Sequence, residues 1–457
     1  MFSKVLIANR GEIALRVARA CRELGVKSVA VYSSADAASA VVDFADEAVQ
    51  IGPPPASKSY LHIPNIIGAA LKTDADAIHP GYGFLSEDPY FAEICAEHGI
   101  TFIGPRPDVM ENVGDKATAR DLMSKAGLPL LPGTISPVNT DDEAHDIAND
   151  IGYPVIIKAV AGGGGRGMSV VWDEAQLSAL YASTRATAQA IFKNSAVYIE
   201  RYLAAPRHTE VQVICDNHGQ GVYFGERDCS VQRRHQKLIE EAPSIHLTEE
   251  TRRDIGERAV AGALSVGYTG AGTMEFLLDD DGRLYFMEMN ARIQVEHPVS
   301  EMVTSSDLIQ EQIRVAAGEP LSVTQDDLKL RGHAIECRVN AEDPDNNFAP
   351  AAGKLDVYVP PGGPYTRVDS HCFPGWTISP FYDSLIAKLI VWAPTRDEAI
   401  NRLDRALSEF RIEGRGVKTT IPFHRRVLAN DQFRSGDVTT DFLEHFLADE
   451  AAAAPTA

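Results

Sequence analysis

The sequence predicts a mixed α/β and α+β protein: an N-terminal doubly wound domain on a parallel sheet, then a mainly antiparallel region, with a small module between them. Three observations predict it. Strand-like and helix-like stretches alternate from Val5 to Tyr32; four consecutive glycines lie between two strand-like stretches; and in the second half Asp/Asn-Gly turns separate apolar runs.

Val5 to Ala8 is a short apolar run, read as the first strand. Apolar residues then recur at helical spacing (Ala14, Val17, Ala18, Cys21, Leu24), while Arg16, Arg19, Arg22 and Glu23 take the other face. Gly25 suits a helix C-cap, and Ser28 to Tyr32 is the next strand. Strand, helix, strand at this length is a βαβ unit, which requires a parallel sheet with helices on its faces. Ala77-Ile78 and Ile100 to Ile103 are further strands of that sheet. The Pro/Gly-punctuated stretch from Gly127 to Gly133 marks a boundary. Beyond it, Val155 to Ala161 and Met168 to Val171 flank the glycine cluster as a strand–loop–strand module. Asp216-Asn217-His218-Gly219 and Asp279-Asp280-Asp281-Gly282 are hairpin turns. The Ala-rich tail from Ala451 is expected to be disordered, within a terminal segment 448–457.

At 457 residues the chain suits two or three packed domains. No run approaches the roughly 18 apolar residues of a membrane span, and the N-terminus enters an apolar strand with no signal-peptide pattern. Six scattered cysteines without CxxC spacing read as reduced thiols of a cytoplasmic protein. A formal net charge of −21 argues against a nucleic-acid partner, since phosphate backbones attract basic surfaces.

Three constellations carry chemistry. Gly162 to Gly167 can bring backbone N–H groups close to an anion, and Lys158 adds a positive charge beside it. The cluster fits neither standard phosphate motif, so a flexible surface loop is the plain alternative; Lys158 favours phosphate. Around the Asp279–Gly282 turn, pairing Leu278 with Arg283 sets Glu275 opposite Phe286, with Glu288 its diagonal neighbour on the same face. That separation, roughly 7–8 Å at the backbone, lets two glutamates reach one divalent metal. Alternation then continues through Glu288, Asn290, Arg292, Gln294 and Glu296, with Met289, Ala291, Ile293 and Val295 between them. An ordinary amphipathic strand explains the period. Two carboxylates beside two amides and a guanidinium fit a metal–phosphate site better. The third is a local basic cluster in an acidic chain, Glu226 to Lys237, a solvated face or a site for a small anion.

At these residues the chain resembles biotin carboxylase, of the ATP-grasp superfamily. The likeness runs from Ile7-Ala8-Asn9-Arg10-Gly11-Glu12-Ile13 to about Phe446. Carrying it are His79 to Glu87, the Lys158 to Met168 loop, Glu226 to Lys237, Glu288 to Pro298, and Arg331 to Arg338. The resemblance implies an N-terminal domain over 1–114 and a central ATP-grasp region over 115–204 whose mobile glycine-rich lid spans about 131–203. A C-terminal ATP-grasp and carboxylase domain over 205–447 completes it. It implies ATP-phosphate contacts from Lys116, Lys158 and the backbone at Gly164 and Gly165. Glu200, Arg201, Tyr202 and Leu203 would line the adenine, with His208, Gln232 and His235 around the nucleotide. Glu275, Glu288 and Asn290 would ligate Mg²⁺ or Mn²⁺, two ions in all. Lys237, Arg292, Gln294 and the backbone of Val295 match the bicarbonate pocket, and Glu296 the general base. Arg338 would stabilise the enolate-like biotin, and Tyr82 would lie near its ring.

The implied reaction is carboxylation of biotin on a carrier protein, with ATP and bicarbonate, through carboxyphosphate. No Met-Lys-Met biotinylation motif is present, so the carrier and the carboxyltransferase are expected on separate chains. The final acceptor stays open; acetyl-CoA, for fatty-acid synthesis, is the first expectation. A homodimer is expected, although Pro364 stands where well-known bacterial members place an interface aromatic. One extra residue in Asp343–Phe348 and Ala291 in place of Thr are the other departures. The rivals are a different ATP-grasp ligase, which would respond to an amine in place of biotin, and a nucleotide-binding regulator that turns nothing over.

Overall fold

The computed structural model describes residues 1–134, 136–161 and 167–453, with the side chain of Ala453 excepted. The N-terminal sheet is fully parallel, in the order Glu47–Gly52, Lys27–Ser33, Lys4–Ile7, Ala77–His79, Thr101–Phe102. Helix Gly11–Glu23 makes the first crossover, and Leu24 and Gly25 close its end on the carbonyls of Ala20 and Arg22. Val5, Leu6 and Ile7 are fully buried, each worth about 1.5–3 kcal/mol over an exposed position.

One helix position departs from its predicted face. Arg16 is 8% exposed, because its guanidinium reaches Glu301 at 2.9 Å and Asp307 at 2.7 Å, residues nearly three hundred positions away in the chain. Periodicity cannot distinguish a solvated arginine from one with distant carboxylates waiting for it.

The central module is a three-stranded antiparallel sheet, Met168–Val171, Val155–Ala159 and Val197–Arg201, with helices Asp141–Ile151 and Glu174–Phe192 packed on it. Val155, Ile157, Val171, Leu177, Val197 and Ile199 form its own small core. Gly162 to Arg166, including Gly164 and Gly165, lie outside the described residues.

The largest element is an eight-stranded antiparallel sheet. Its order is Leu284–Asn290, Gly270–Leu278, Arg207–Cys215, Gly221–Arg233, Gln236–Ala242, His333–Asn340, Leu385–Ala393, Thr366–Ser370. Both predicted hairpin turns are present, each organised by its aspartate. Asp216 Oδ1 accepts from the N–H groups of His218 and Gln220, and Asp279 Oδ1 from those of Asp281 and Arg283. A third, tighter hairpin joins Arg233 to Gln236 through Arg234 and His235, both at positive φ (51° and 65°). Of the tail expected to be disordered from 448, residues 448–453 are instead helical, as part of Phe442–Ala453, and 454–457 lie outside the described residues. Phe442, Leu443 and Phe446 of the same helix are buried in the C-terminal core, which gives the segment its apolar anchor. All six cysteines are buried and free.

Candidate active site

The hairpin carrying the two glutamates is out of its predicted register. Leu278 pairs with Leu284, not Arg283, because the Asp279 turn takes five residues. That one-residue slip alone would put Glu275 and Glu288 on opposite faces. A bulge undoes it. Phe276 faces Phe286 but Glu275 faces Glu288, with Met287 as the extra residue. The glutamates are therefore direct cross-strand partners, with Cβ atoms about 5 Å apart, rather than diagonal ones.

The predicted alternation also ends sooner than expected. The strand stops at Asn290, and Ala291 to Glu296 form an irregular loop that enters helix His297–Thr304. The loop is pinned from both sides. Glu87 accepts from the Ala291 N–H and from Arg292 Nε, both at 2.9 Å. Lys388 Nζ donates to the Val295 carbonyl at 2.8 Å. Ala291 is buried, on the apolar side as predicted.

Lys237 is the hub. Its ammonium lies 2.5 Å from Glu210 Oε2, 2.7 Å from Glu296 Oε1, 3.1 Å from Glu275 Oε1 and 3.2 Å from Gln294 Oε1. Asn290 Nδ2 and Gln294 Nε2 also donate to Glu275 Oε1. His208 Nε2 sits 3.2 Å from Glu275 Oε2. Arg338 completes the set, donating to Glu240 Oε1 at 2.6 Å and through Nη2 to Glu296 Oε2 at 2.9 Å. Beneath them Arg227, fully buried, binds Glu210, Gln212, Ser300 and Thr273. Lys116 Nζ meets Glu288 at 3.1 Å.

Charges this close set one another's proton affinity. Burial would push Glu296 up, but Lys237, Arg338 and Arg227 outweigh it and hold the carboxyl well below the ordinary range. Glu275 is likewise lowered against the cost of burial, by Lys237 and His208. Burial acts against charge on Lys237 too, yet Glu210, Glu275 and Glu296 raise it well above a free lysine. Glu240 goes the other way: burial, opposed by Arg338, pushes it up to about 7.

The sign of each shift sets a pH dependence. Glu275 and Glu296, depressed in the folded state, contribute stability above the ordinary carboxylate value of 4.5, and that stability is lost as pH falls below it. Glu240, raised, contributes most below 4.5 and loses its contribution as pH climbs to about 7. A Glu240→Gln variant stays neutral throughout. Its melting temperature is expected to gain on the unsubstituted protein by a few degrees between pH 5 and 8, as calorimetry would read it. A constant offset across that range would contradict the assignment.

Against one side of this cluster lies a cavity of about 540 Å³, lined by Glu12, Tyr82, Lys237, Arg292, Val295 and Arg338 among others. Tyr82 donates to Glu12 Oε1. The structure thus brings Lys237, Arg292, Gln294, Val295, Glu296, Arg338, Glu275, Glu288, Asn290 and His208 into one region. Lys158 and Glu200 are on the small sheet, paired with each other, and Arg120 donates to Glu200 at 2.8 Å. Among the described residues no ion pair or hydrogen bond joins them to the Lys237 cluster. Arg201, Tyr202 and Leu203 follow on the same strand and its exit. Gln232 is the hairpin partner of Lys237, and His235 stands at the turn.

For a metal, Glu275 and Glu288 offer hard oxygen donors face to face, with the Asn290 amide alongside. Each carboxylate is neutralised here by a lysine, Lys237 or Lys116, so the pair's demand for positive charge is built in. His208, Glu210 and Glu275 also converge within 4.8 Å, but Lys237 already neutralises two of them from that side.

Sequence reasoning gave no individual role to Glu87, Glu210, Arg227, Glu240 or Lys388, although Glu87 and Arg227 lie in stretches it singled out. Lys388 had a signal, being the lone charge in the apolar run Leu385 to Ala393; a lysine there must be buried with partners. Glu210 had none, since its two cation partners come from other strands.

Known families match nearly the whole chain. A model of the biotin carboxylase N-terminal domain matches residues 1–110, one of the carbamoyl-phosphate synthase L chain ATP binding domain matches 115–324, and one of the biotin carboxylase C-terminal domain matches 336–445. A biotin carboxylase from Nostoc sp. is 57% identical over 443 residues, covering 97% of this chain and 99% of that protein. Among solved structures, a Campylobacter jejuni biotin carboxylase–β,γ-ATP complex has a TM-score of 0.92 at 48% identity, covering 97% and 99% of the two chains. The biotin carboxylase domain dimer of a Hydrogenobacter thermophilus 2-oxoglutarate carboxylase, in complex with MgADP, ADP and bicarbonate, has a TM-score of 0.91 at 49% identity, covering 97% and 98%. With these matches over an ATP-grasp fold and a cation-rich pocket, the chain belongs to the biotin carboxylase family, the ligases that carboxylate biotin with ATP and bicarbonate.

Proposed function

We propose that Lys237, Arg292, Gln294 and the backbone of Val295 hold bicarbonate and that Glu296 is its base. The observation that carries this is the pair of cations, Lys237 and Arg338, gripping the two oxygens of one buried glutamate. Glu296 is thereby ionised at neutral pH. Bicarbonate arriving at Lys237 shares its charge, so the proton affinity of Glu296 rises as the anion binds.

Glu296 takes the bicarbonate proton, and the freed oxygen attacks the γ-phosphorus of ATP as the bond to ADP breaks. Lys116, Lys158 and the backbone at Gly164 and Gly165 contact the phosphates. Glu200 to Leu203 line the adenine, and His208, Gln232 and His235 surround the nucleotide. Glu275, Glu288 and Asn290 would hold Mg²⁺ or Mn²⁺, two ions in all, which when bound supply positive charge to the phosphates. Carboxyphosphate breaks to CO₂ and phosphate; the phosphate removes the biotin ureido proton, and the nitrogen bonds to CO₂. Arg338 stabilises the oxyanion that forms on biotin, with Tyr82 near the ring.

Biotin comes on a carrier protein, and a carboxyltransferase on a further chain receives the carboxyl group. Acetyl-CoA is the proposed acceptor, the enzyme a homodimer, and its compartment cytoplasmic. Among the described residues no helix is long and apolar enough to cross a membrane. The test is steady-state ATP hydrolysis by the pure chain with Mg²⁺. Turnover is expected to need bicarbonate and to rise with free biotin; turnover indifferent to both would overturn the proposal.

A further inference from the structure

Lys388 stands in the strand Leu385–Ala393, directly between Arg338 and Asp369 on the neighbouring strands. Its side chain is fully buried. Burial opposes its charge, but Glu12, Glu336 and Asp369 outweigh burial and keep it an ammonium. Such a charge is tolerated only where its surroundings complete its bonding. Two groups do so here, the Val295 carbonyl at 2.8 Å and Glu12 Oε1 at 3.1 Å, while Asp369 Oδ2 at 3.9 Å adds opposite charge.

The first of these is the informative one. The Val295 carbonyl belongs to the peptide from which Glu296 springs, in a loop with no strand partner. The helix that follows offers that carbonyl little: Pro298 has no N–H, and the Val299 N–H goes to Glu296 O. The opposite end of the ammonium rests on Glu12, at the start of the first helix of the N-terminal sheet, and Glu12 in turn accepts from Tyr82 in the cavity wall. One buried ion pair thus ties the loop to a residue of the cavity wall.

We propose that Lys388 is a positioning residue for the carboxylation site: it fixes the Val295–Glu296 peptide, and Glu12 holds it from the other side. The inference rests on the pocket assignment above. Lys388 touches neither ATP nor bicarbonate in this account, so its loss should be felt in anion affinity and hardly at all in nucleotide affinity.

The experiment uses the full chain as Lys388→Met, as Glu12→Gln/Lys388→Met and as Gln294→Ala, with bicarbonate and ATP titrated separately and melting temperature recorded. A charge-assisted hydrogen bond to the peptide corresponds to roughly a 10- to 100-fold rise in bicarbonate KM for Lys388→Met, with ATP KM unchanged. The double variant leaves Glu12 no unpaired charge and is expected to regain thermal stability while keeping the raised bicarbonate KM. A merely structural lysine would give the reverse: kcat falling with the folded fraction and both KM values untouched, which would overturn the inference. Gln294→Ala separates the two readings. If it raises bicarbonate KM and the Lys388 variants do not, only the role of Lys388 fails; if it too has no effect, the pocket assignment fails and takes this inference with it.

Discussion

Replacing Glu296 by glutamine is expected to slow bicarbonate-dependent ATP turnover by about 10²–10⁴-fold, the usual contribution of a positioned general base. The amide fills the same volume and still accepts a hydrogen bond, so its position at the head of helix His297–Thr304 is kept. What it loses is the charge that Lys237 and Arg338 share and the ability to accept a proton. ATP affinity is expected to be unchanged, because Lys116 and Lys158 contact neither oxygen of Glu296. Steady-state turnover with a binding titration separates the two quantities. Loss of ATP affinity in step with turnover would mean that Glu296 organises the nucleotide site and is not the base.

Replacing Arg338 by methionine is expected to slow carboxylation of free biotin by about 10²–10³-fold, the cost of removing one oxyanion donor. ATP hydrolysis with bicarbonate alone should fall much less. The guanidinium spans Glu240 and Glu296, so its loss also leaves two buried carboxyls less compensated. Glu240, already raised to about 7, then takes up a proton more readily. Glu296 loses one of the cations that depress it, and so the biotin-independent rate should shift its pH dependence upward. Lysine at this position would not rescue the rate, since one ammonium cannot span both carboxylates as the planar fork does. Equal losses with and without biotin would refute an oxyanion role and leave Arg338 as a holder of Glu296 alone.

The fold was readable wherever local pattern and tertiary packing demand the same thing. The βαβ start, the central strands on either side of the glycine run and both aspartate hairpins follow from apolar periodicity and turn chemistry, and each is present. Arg16 was misplaced because what buries it lies nearly three hundred residues away, at Glu301 and Asp307. The Glu275–Glu288 pairing was found for an incomplete reason. The turn is one residue longer than assumed, and only the bulge at Met287 restores the shared face; a bulge leaves no mark in a two-residue period. Alternation through Glu296 described the right residues with the wrong backbone, since polar groups facing a pocket from a loop can mimic a strand. The resemblance supplied the list of site residues, but not what positions them: Glu87, Glu210, Arg227 and Lys388 act through contacts between strands and domains that no local pattern encodes.

The most direct test of the account follows an oxygen atom. If bicarbonate bound at Lys237 and Arg292 is the nucleophile toward ATP, the phosphate released must carry one of its oxygens. Brief turnover with [¹⁸O]bicarbonate, faster than exchange with water, is expected to place one ¹⁸O in the inorganic phosphate, read by mass spectrometry, and to leave ADP unlabelled. Phosphate whose new oxygen comes from water would contradict the account, because water rather than bicarbonate would then be attacking ATP.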